Sequence, residues 1–596
     1  MKEISRRSFL TGAAVAGVSA AFAGTLAGCS TTQEKAPETP EEPKAPATDA
    51  TTEAAAAPAD PAPAPTPATD GKPAWMTAPD PVPEDEIVET TDCEILIVGA
   101  GVAGLPAAMM AAEAGADVHV LEKGGSFGVA RLCTAGFNSD LQKSLGLTTD
   151  RKDFIMNTWA ITNGVNGRMS SYGLWFDNSA EYINWLEAAF ATKGYKLIPA
   201  ASLEYKITND GIGMAGASEL WQCYPQMIYF ANEDGSFFGT GNPVNWTQVM
   251  EEYSTEHGAV FHYSTPALYL ERDASGRVTG VIAKNENEDY VRFNASKGVL
   301  LTTGDMAADH DMMEYYNPDL AKVVRYNINQ NDSGDGQKMG IWIGAEMDTA
   351  ICADMWSFSA IMMDGKLPDF LDGTHFYAGV ASLPGNLMVD TTGRRIAAEN
   401  LPFQAYSVPK LTCTPDGMTW SIWDSAWESK YPKDGYFVED YCTSNTQEEV
   451  DKNVEKGLTF KFDTIEELCR HCSFDEEVFM ASFNRYNELC DLGEDLDFYK
   501  DPVWMCKLDT PPFYCSKTCS SMTSTRGGLK QDERMRVLDT KGLPIPGLYA
   551  AGNTAGSFYG DVYPPNVMGS GIGHGQCFGW LAIREMLGLD YIHANI

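Results

Sequence analysis

The residues best suited to chemistry fall in three places along a chain of 596 residues. The first is Gly99-Ala100-Gly101-Val102-Ala103-Gly104, which follows the apolar run Cys93-Glu94-Ile95-Leu96-Ile97-Val98 and opens an Ala-rich stretch ending near Gly115. A second apolar run, Asp117 to Leu121, closes on Glu122. Glycines at this spacing permit a tight turn and let a pyrophosphate approach the free N–H groups of a helix N-terminus, while a carboxylate ending the next strand accepts hydrogen bonds from ribose hydroxyls. The second place is Arg526, followed by Gly527-Gly528. A permanently charged guanidinium beside flexible backbone can clamp a substrate carboxylate or stabilise an enolate, or it can pair with one of the 82 acidic residues. The third is the cysteines, 14 in all, with eight between Cys413 and Cys519. Cys469-Arg470-His471-Cys472 has haem-like spacing but is followed by Ser473, so no covalent haem is expected. Cys469, Cys472, Cys490, Cys506, Cys515 and Cys519 could ligate an iron–sulfur cluster, although disulfides or buried free thiols are the more ordinary readings.

Positioning the first group requires strand, glycine turn, helix and second strand in that order, and the sequence supplies all four. The stretch through Glu122-Lys123-Gly124 resembles the start of the fumarate reductase/succinate dehydrogenase flavoprotein superfamily, which also contains 3-ketosteroid dehydrogenases and envelope-located reductases. Later segments extend the resemblance over residues 92 to 596. Val299-Leu300-Leu301-Thr302-Thr303-Gly304-Asp305 is similar to a second strand and turn that returns to the nucleotide. Gly334-Asp335-Gly336 with Met339 resembles a GDG element, and Gly547-Leu548-Tyr549-Ala550-Ala551-Gly552-Asn553 resembles the strand and turn that pass the flavin's ribityl chain. The resemblance implies FAD, of unknown linkage. Its expected contacts are Gly99, Gly101, Ala103, Gly104, Glu122, Lys123, Gly128, Ala130, Gly136, Gly304, Asp305, Gly336, Gly552, Asn553, Gly571 and Ile572. A helix opening at Gly571 would aim its positive end at the flavin pyrimidine. The fold so implied is α/β, a Rossmann-like FAD-binding domain with an inserted α+β capping domain. The FAD-binding parts would be residues 92 to 344 and 501 to 596, with a cap of 345 to 500 that excludes water from flavin and substrate.

The substrate must then be oriented, polarised and supplied with a proton. Where fumarate reductases carry an arginine proton donor four residues after an Asn-Glu pair, this chain reads Ala398-Glu399-Asn400-Leu401-Pro402-Phe403, and Phe403 cannot donate a proton. The C-terminal Asn-Arg-Leu-Gly-Gly that clamps a carboxylate is also missing. Phe558-Tyr559-Gly560-Asp561-Val562-Tyr563-Pro564 is instead similar to the ketosteroid dehydrogenase branch, although Pro565-Asn566-Val567-Met568 replaces that branch's glycine-rich continuation. Tyr563, Tyr559 and Arg526 are therefore the candidate catalytic residues. A neutral phenol can polarise or protonate an enone, and the alternative for Tyr563 is core packing with a satisfied hydroxyl. Trp356, Phe358, Phe370, Phe376 and Tyr377 could line an apolar pocket in the cap or simply form its core.

The expectation is an FAD-dependent reductase of the C=C bond in an α,β-unsaturated carbonyl compound. The alternatives are a ketosteroid-type dehydrogenase working oxidatively, a fumarate reductase-like dicarboxylate reductase, and a flavin electron carrier without substrate chemistry. Ser5-Arg6-Arg7-Ser8-Phe9-Leu10, an apolar stretch and Leu26-Ala27-Gly28-Cys29 read as a twin-arginine lipoprotein signal over residues 1 to 29, with attachment to the extracytoplasmic face of the membrane by lipid on Cys29. Residues 30 to 91, rich in Ala, Pro, Thr and Glu, read as a disordered tether. The formal net charge of -39 excludes a nucleic-acid binder by electrostatics. With one expected redox centre, the chain needs an outside donor, expected to be a membrane-linked cytochrome or quinol dehydrogenase.

Overall fold

The apolar run before the glycines becomes the inner part of a long strand, Ile87–Val98, in which Ile95, Leu96 and Ile97 are completely buried. It is lined on both sides by parallel partners, Val118–Leu121 and Tyr290–Leu301, which explains why its inner half is continuously apolar rather than alternating. The sheet extends to Val260–His262 at one edge and through Pro544–Ala550 to Arg536–Leu538 at the other. A hairpin, Ala267–Arg272 and Val278–Lys284, joins it antiparallel to Tyr290–Leu301. The computed structural model describes residues 72–593 other than 129–132, 163–166, 200–223, 225, 236–244, 323, 326–330, 361–375, 378, 402–409, 411, 432–445, 565 and 568. Arg6, Arg7, Cys29, Ala130, Phe370 and Phe403 lie outside the described residues, as do the side chains of Trp356, Phe358, Phe376 and Tyr377.

Helix Gly104–Glu113 follows the glycines and is buried over nearly its whole length, because the sheet lies on one side and the C-terminal helix Ser570–Leu587 on the other. A second sheet takes Cys352–Ala360, Phe376–Tyr377, Leu387–Asp390, Met418–Asp424 and Phe460–Phe462 from the expected cap. Its central strand is Phe513–Arg526, which pairs with three of these and also with Val324–Arg325. The expected boundaries at 345 and 500 therefore do not enclose this sheet. Hydrogen bonding carries it beyond both, and its longest strand leads directly back to Arg526 and the flavin motifs. A third, small sheet of Cys133–Ala135, Met227–Asn232 and Tyr195–Pro199 packs by the 24-residue helix Met169–Thr192.

Residues 72–91, assigned by composition to the tether, belong structurally to the body. Trp75 packs on Tyr315 and Tyr316, its carbonyl accepts from Trp342 Nε1 at 2.9 Å, and Glu84 receives Arg292 at 2.6 and 2.7 Å. Together with Val82 N donating to Tyr269 OH at 2.8 Å and the sheet pairing that begins at Ile87, these contacts anchor a segment whose overall composition reads as spacer.

Candidate active site

The cofactor frame begins at Gly99, whose φ of +107° is strained for any residue with a side chain and whose added Cβ would collide with the Thr302 carbonyl. A Cβ at Gly104 would collide with the Gly99 carbonyl, so this glycine allows the helix to pack on its own turn. Gly101 differs, since a Cβ there would meet nothing within 4 Å and its backbone faces open space at the helix N-terminus. Gly128 donates to Ala100 O at 2.9 Å and closes the other side of the turn. The Glu122 carboxylate accepts from Ala100 N at 2.9 Å and Gly124 N at 2.7 Å, which fixes it at the strand end while leaving lone pairs for a ribose. Lys123 is held by Asp335 at 2.6 Å and Ser333 at 2.9 Å, tying the second strand to the GDG element.

The later motifs are brought to this turn by hydroxyl links absent from the motif pattern. Thr302 Oγ1 donates to Gly99 O at 2.8 Å, Thr554 Oγ1 to Gly304 O at 3.0 Å, and Gly336 N to Thr303 Oγ1 at 3.0 Å. Gln337 Nε2 donates to Gly304 O at 3.1 Å and Asn553 O at 3.3 Å. Gly552 lies against Ala103, where its Cβ would come within 3.0 Å of the alanine's. Gly136 has a packing reason instead, because a Cβ there would stand 2.7 Å from Ile183 on the long helix. Asp305 is buried beneath the second turn, accepting from Ala307 N at 2.7 Å and Thr525 N at 3.1 Å. Burial lifts its pKa to about 6 against those N–H groups and Arg526.

The three candidate catalytic residues meet at the N-terminus of helix Ser570–Leu587. The Arg526 guanidinium carbon lies 5.2 Å from the Tyr563 ring centre and 5.8 Å from that of Tyr559, within cation–π range, and Arg526 Nη1 donates to Asn553 Oδ1. Its guanidinium fills the space where a Gly571 side chain would be, so Gly571 is required by Arg526. Tyr563 OH accepts from Gly571 N at 3.3 Å and thereby caps one free N–H of the helix, which begins after Gly569 at φ +76°. Ile572 follows within that first turn. All three side chains are buried, Arg526 at 7%, Tyr563 at 5% and Tyr559 at 3% exposure, so the surface ion pair considered for Arg526 is excluded.

Two residues of the site are not among the sequence candidates. Asp348 is a buried carboxyl that accepts from Ser557 N at 3.1 Å and Gly528 N at 3.4 Å, stapling the turn after Arg526 to the segment that carries Tyr559. His574 lies 3.2 Å from Tyr559 OH. Asp348 belongs to no spaced motif, whereas His574 follows three residues after Gly571 in the helix start, where its contact with Tyr559 was not legible.

Elsewhere, Glu399 is engaged in a buried ion-pair network: Arg395 donates to both its oxygens at 2.9 Å and to Asp495 at 2.7 Å, and Lys500 approaches it at 3.2 Å. Burial would raise the Glu399 pKa, but Arg395 and Lys500 hold it below the ordinary value. Cys469 and Cys472 turn into a buried apolar cluster beside the second sheet, with Cys472 Sγ at 3.6 Å from Cys515 Sγ. Among the described residues no group of three or more His, Cys, Asp or Glu is placed to hold a metal, and no helix is long and apolar enough to cross a membrane.

A family model described as an FAD binding domain matches residues 94–567. The chain is 27% identical over 497 residues to a vinyl phenol reductase of Lactiplantibacillus plantarum, covering 81% of this chain and 93% of that protein. It is 25% identical to a digoxin reductase of Eggerthella lenta, covering 93% of each. Among solved structures, the 3-ketosteroid Δ1-dehydrogenase of Sterolibacterium denitrificans superposes with a TM-score of 0.64 at 18% identity, covering 84% of this chain and 100% of that one. A flavocytochrome c3 fumarate reductase in its open conformation gives 0.61 at 21% identity, covering 88% and 84%. The cradle at Gly99, Gly101 and Gly104, with Glu122 beyond it, fits the cofactor this family model describes, and the chain belongs to the fumarate reductase/succinate dehydrogenase flavoprotein family as an FAD-dependent oxidoreductase.

Proposed function

We propose that the protein reduces the C=C bond of an α,β-unsaturated carbonyl compound or a comparably activated alkene, as an exported, lipid-anchored enzyme fed by a membrane-linked cytochrome or quinol dehydrogenase. The observation that carries the chemistry is the buried cluster of Arg526, Tyr559 and Tyr563 at a helix N-terminus. A guanidinium and two phenols in a water-poor site can orient an oxygen-bearing substrate, stabilise charge that develops on it and donate a proton. When bound, FAD supplies the hydride. Tyr563, with its oxygen already accepting the Gly571 N–H, directs its own proton to a substrate oxygen. Relatives that reduce a vinyl phenol, urocanate and fumarate support the reaction class. Phe403 in place of an arginine donor speaks against a dicarboxylate.

The test is a panel of enones, hydroxyaryl alkenes, acrylates and steroids offered to FAD-loaded protein with reduced viologen. Viologen oxidation driven by one alkene class, with the saturated product recovered, is expected. The oxidative reading is favoured by the Phe-x-Gly-x-x-Tyr-Pro pattern at Tyr563. Faster dye reduction with saturated ketones than alkene reduction with viologen would replace the first reading by the second.

A further inference from the structure

His574 sits one turn into helix Ser570–Leu587, 1% exposed, its ring stacked on Phe558 at 4.0 Å between centres. Its Nδ1 has two neighbours at 3.2 Å, the Ser570 carbonyl oxygen and the Tyr559 hydroxyl. A carbonyl can only accept, so this contact selects the tautomer with the proton on Nδ1; the other tautomer would set two lone pairs against each other. Burial, with the nearby Arg526 charge adding to it, brings the imidazole pKa down to about 3, so the ring carries one proton. With that proton on Nδ1, shared between the Ser570 carbonyl and the Tyr559 oxygen, the Tyr559 O–H is turned away from the ring, with the Ser570 hydroxyl also beside it. Nε2 is then a bare lone pair, and it is buried without a hydrogen-bond partner among the described residues. The ring is thus used on its Nδ1 side, towards the Ser570 carbonyl and Tyr559.

The groups facing Tyr559 fit a proton donor. The Arg526 guanidinium stands 5.8 Å from its ring centre, the Tyr563 ring 5.6 Å away, and the His574 ring meets it edge-on at 5.3 Å. Burial raises the Tyr559 pKa well above that of a free phenol, with Arg526 opposing, so the proton is retained until an acceptor is in place.

We propose that Tyr559 is the proton donor of the C=C reduction and that His574 is the positioning residue whose Nδ1–H turns the Tyr559 hydroxyl proton towards the substrate; the proposal rests on the reductase reading of the site. In the balanced step, one alkene carbon gains the hydride that bound reduced FAD supplies. The other takes the Tyr559 proton, the phenol O–H bond breaks, and the C=C π pair forms the new C–H bond. The tyrosinate left behind is stabilised by His574 Nδ1–H and Arg526 until a proton from water restores it.

The test uses FAD-loaded protein and two substitutions. In His574→Asn the amide nitrogen stands where Nδ1 does, whereas His574→Phe keeps a packed ring without a donor. His574→Asn is expected to stay within about threefold of parental kcat, and His574→Phe to lose about tenfold or more in kcat with KM and FAD content little changed. Nitrogen-15 spectra of histidine-labelled protein are expected to place the His574 proton on Nδ1. Parental turnover in His574→Phe, a His574→Asn variant as slow as His574→Phe, or a proton on Nε2 overturns the role of His574. A parent inactive on every activated alkene overturns the reductase reading and the donor role of Tyr559 with it, while the nitrogen spectrum still reports on the tautomer.

Discussion

Asp348 and Tyr563 occupy the same buried neighbourhood yet serve different ends. Burial lifts the Asp348 carboxyl to about pH 7, with the Ser557 and Gly528 N–H groups opposing the rise. The folded protein therefore holds this proton more tightly than the unfolded chain, whose carboxyl titrates near 3.8. Stability from this group is complete below that value and is lost as pH rises through about 7. Asp348→Asn keeps a carbonyl acceptor and removes the titration. Its melting temperature should gain on the parent between pH 4 and 8, by on the order of 2 to 4 kcal/mol in stability across that window. A difference that stays flat with pH would show that the carboxyl does not titrate there. Tyr563→Phe removes the phenol while the ring still packs on Arg526, so FAD should remain bound and turnover of the true alkene substrate should fall by about tenfold or more. Unchanged turnover would leave Tyr563 as a helix cap only.

At the scale of elements, two glycine classes make opposite predictions. Helix Ser570–Leu587 crosses the flavin motifs through glycines, with a Gly575 Cβ standing 3.2 Å from Gly552 Cα and a Gly579 Cβ colliding with Ala103 O. Gly579→Ala should force the helix off the turn and cost about 1 to 3 kcal/mol, read as a lower melting temperature together with reduced flavin content. Gly101→Ala should do the reverse. Nothing in the protein stands within 4 Å of the new Cβ, so the apoprotein should melt where the parent does, while FAD affinity falls because the methyl occupies the approach to the pyrophosphate. Comparing flavin binding and apoprotein melting for the two variants separates a packing glycine from a cofactor glycine. A Gly101→Ala variant with parental FAD affinity would move the pyrophosphate away from this turn.

At the scale of the molecule, the charge of -39 and the buried ion-pair network around Glu399 bear on different properties. Arg395, Glu399, Asp495 and Lys500 join the segment around residue 395 to the one around residue 500. Removing one member, as in Lys500→Met, leaves buried charge uncompensated, with an expected loss of about 3 to 5 kcal/mol in unfolding free energy, read as a lower denaturant midpoint. The negative body bears on the electron donor. Reduction of the holoenzyme by a basic multihaem cytochrome should slow as salt rises to about 0.2 M, because screening removes the attraction that steers the two together. A rate indifferent to ionic strength would sink the charge-steering part of the proposed partnership.

The cofactor frame was legible in the sequence because its chemistry is local. Gly99, Gly101, Gly104 and Glu122 lie within one strand-helix-strand unit, where backbone geometry alone fixes their spacing. The same locality made Arg526, Tyr559 and Tyr563 findable as residue types near glycine turns, without saying whether they meet. Their meeting depends on Phe513–Arg526 belonging to the second sheet and on Ser570–Leu587 packing across the first, and no local pattern encodes either. Composition likewise placed residues 72–91 in a tether, whereas the packing of Trp75 on Tyr315 and Tyr316 is a contact across some 240 residues. The sequence by itself determined the family, the cofactor and the chemical types available. Only the tertiary structure decided that Arg526 is buried rather than paired at the surface, that Glu399 is spent in a buried ion-pair network, and that Asp348 and His574 belong to the site. Burial and hydrogen-bond direction are properties of what surrounds a side chain, and those surroundings come from distant parts of the chain.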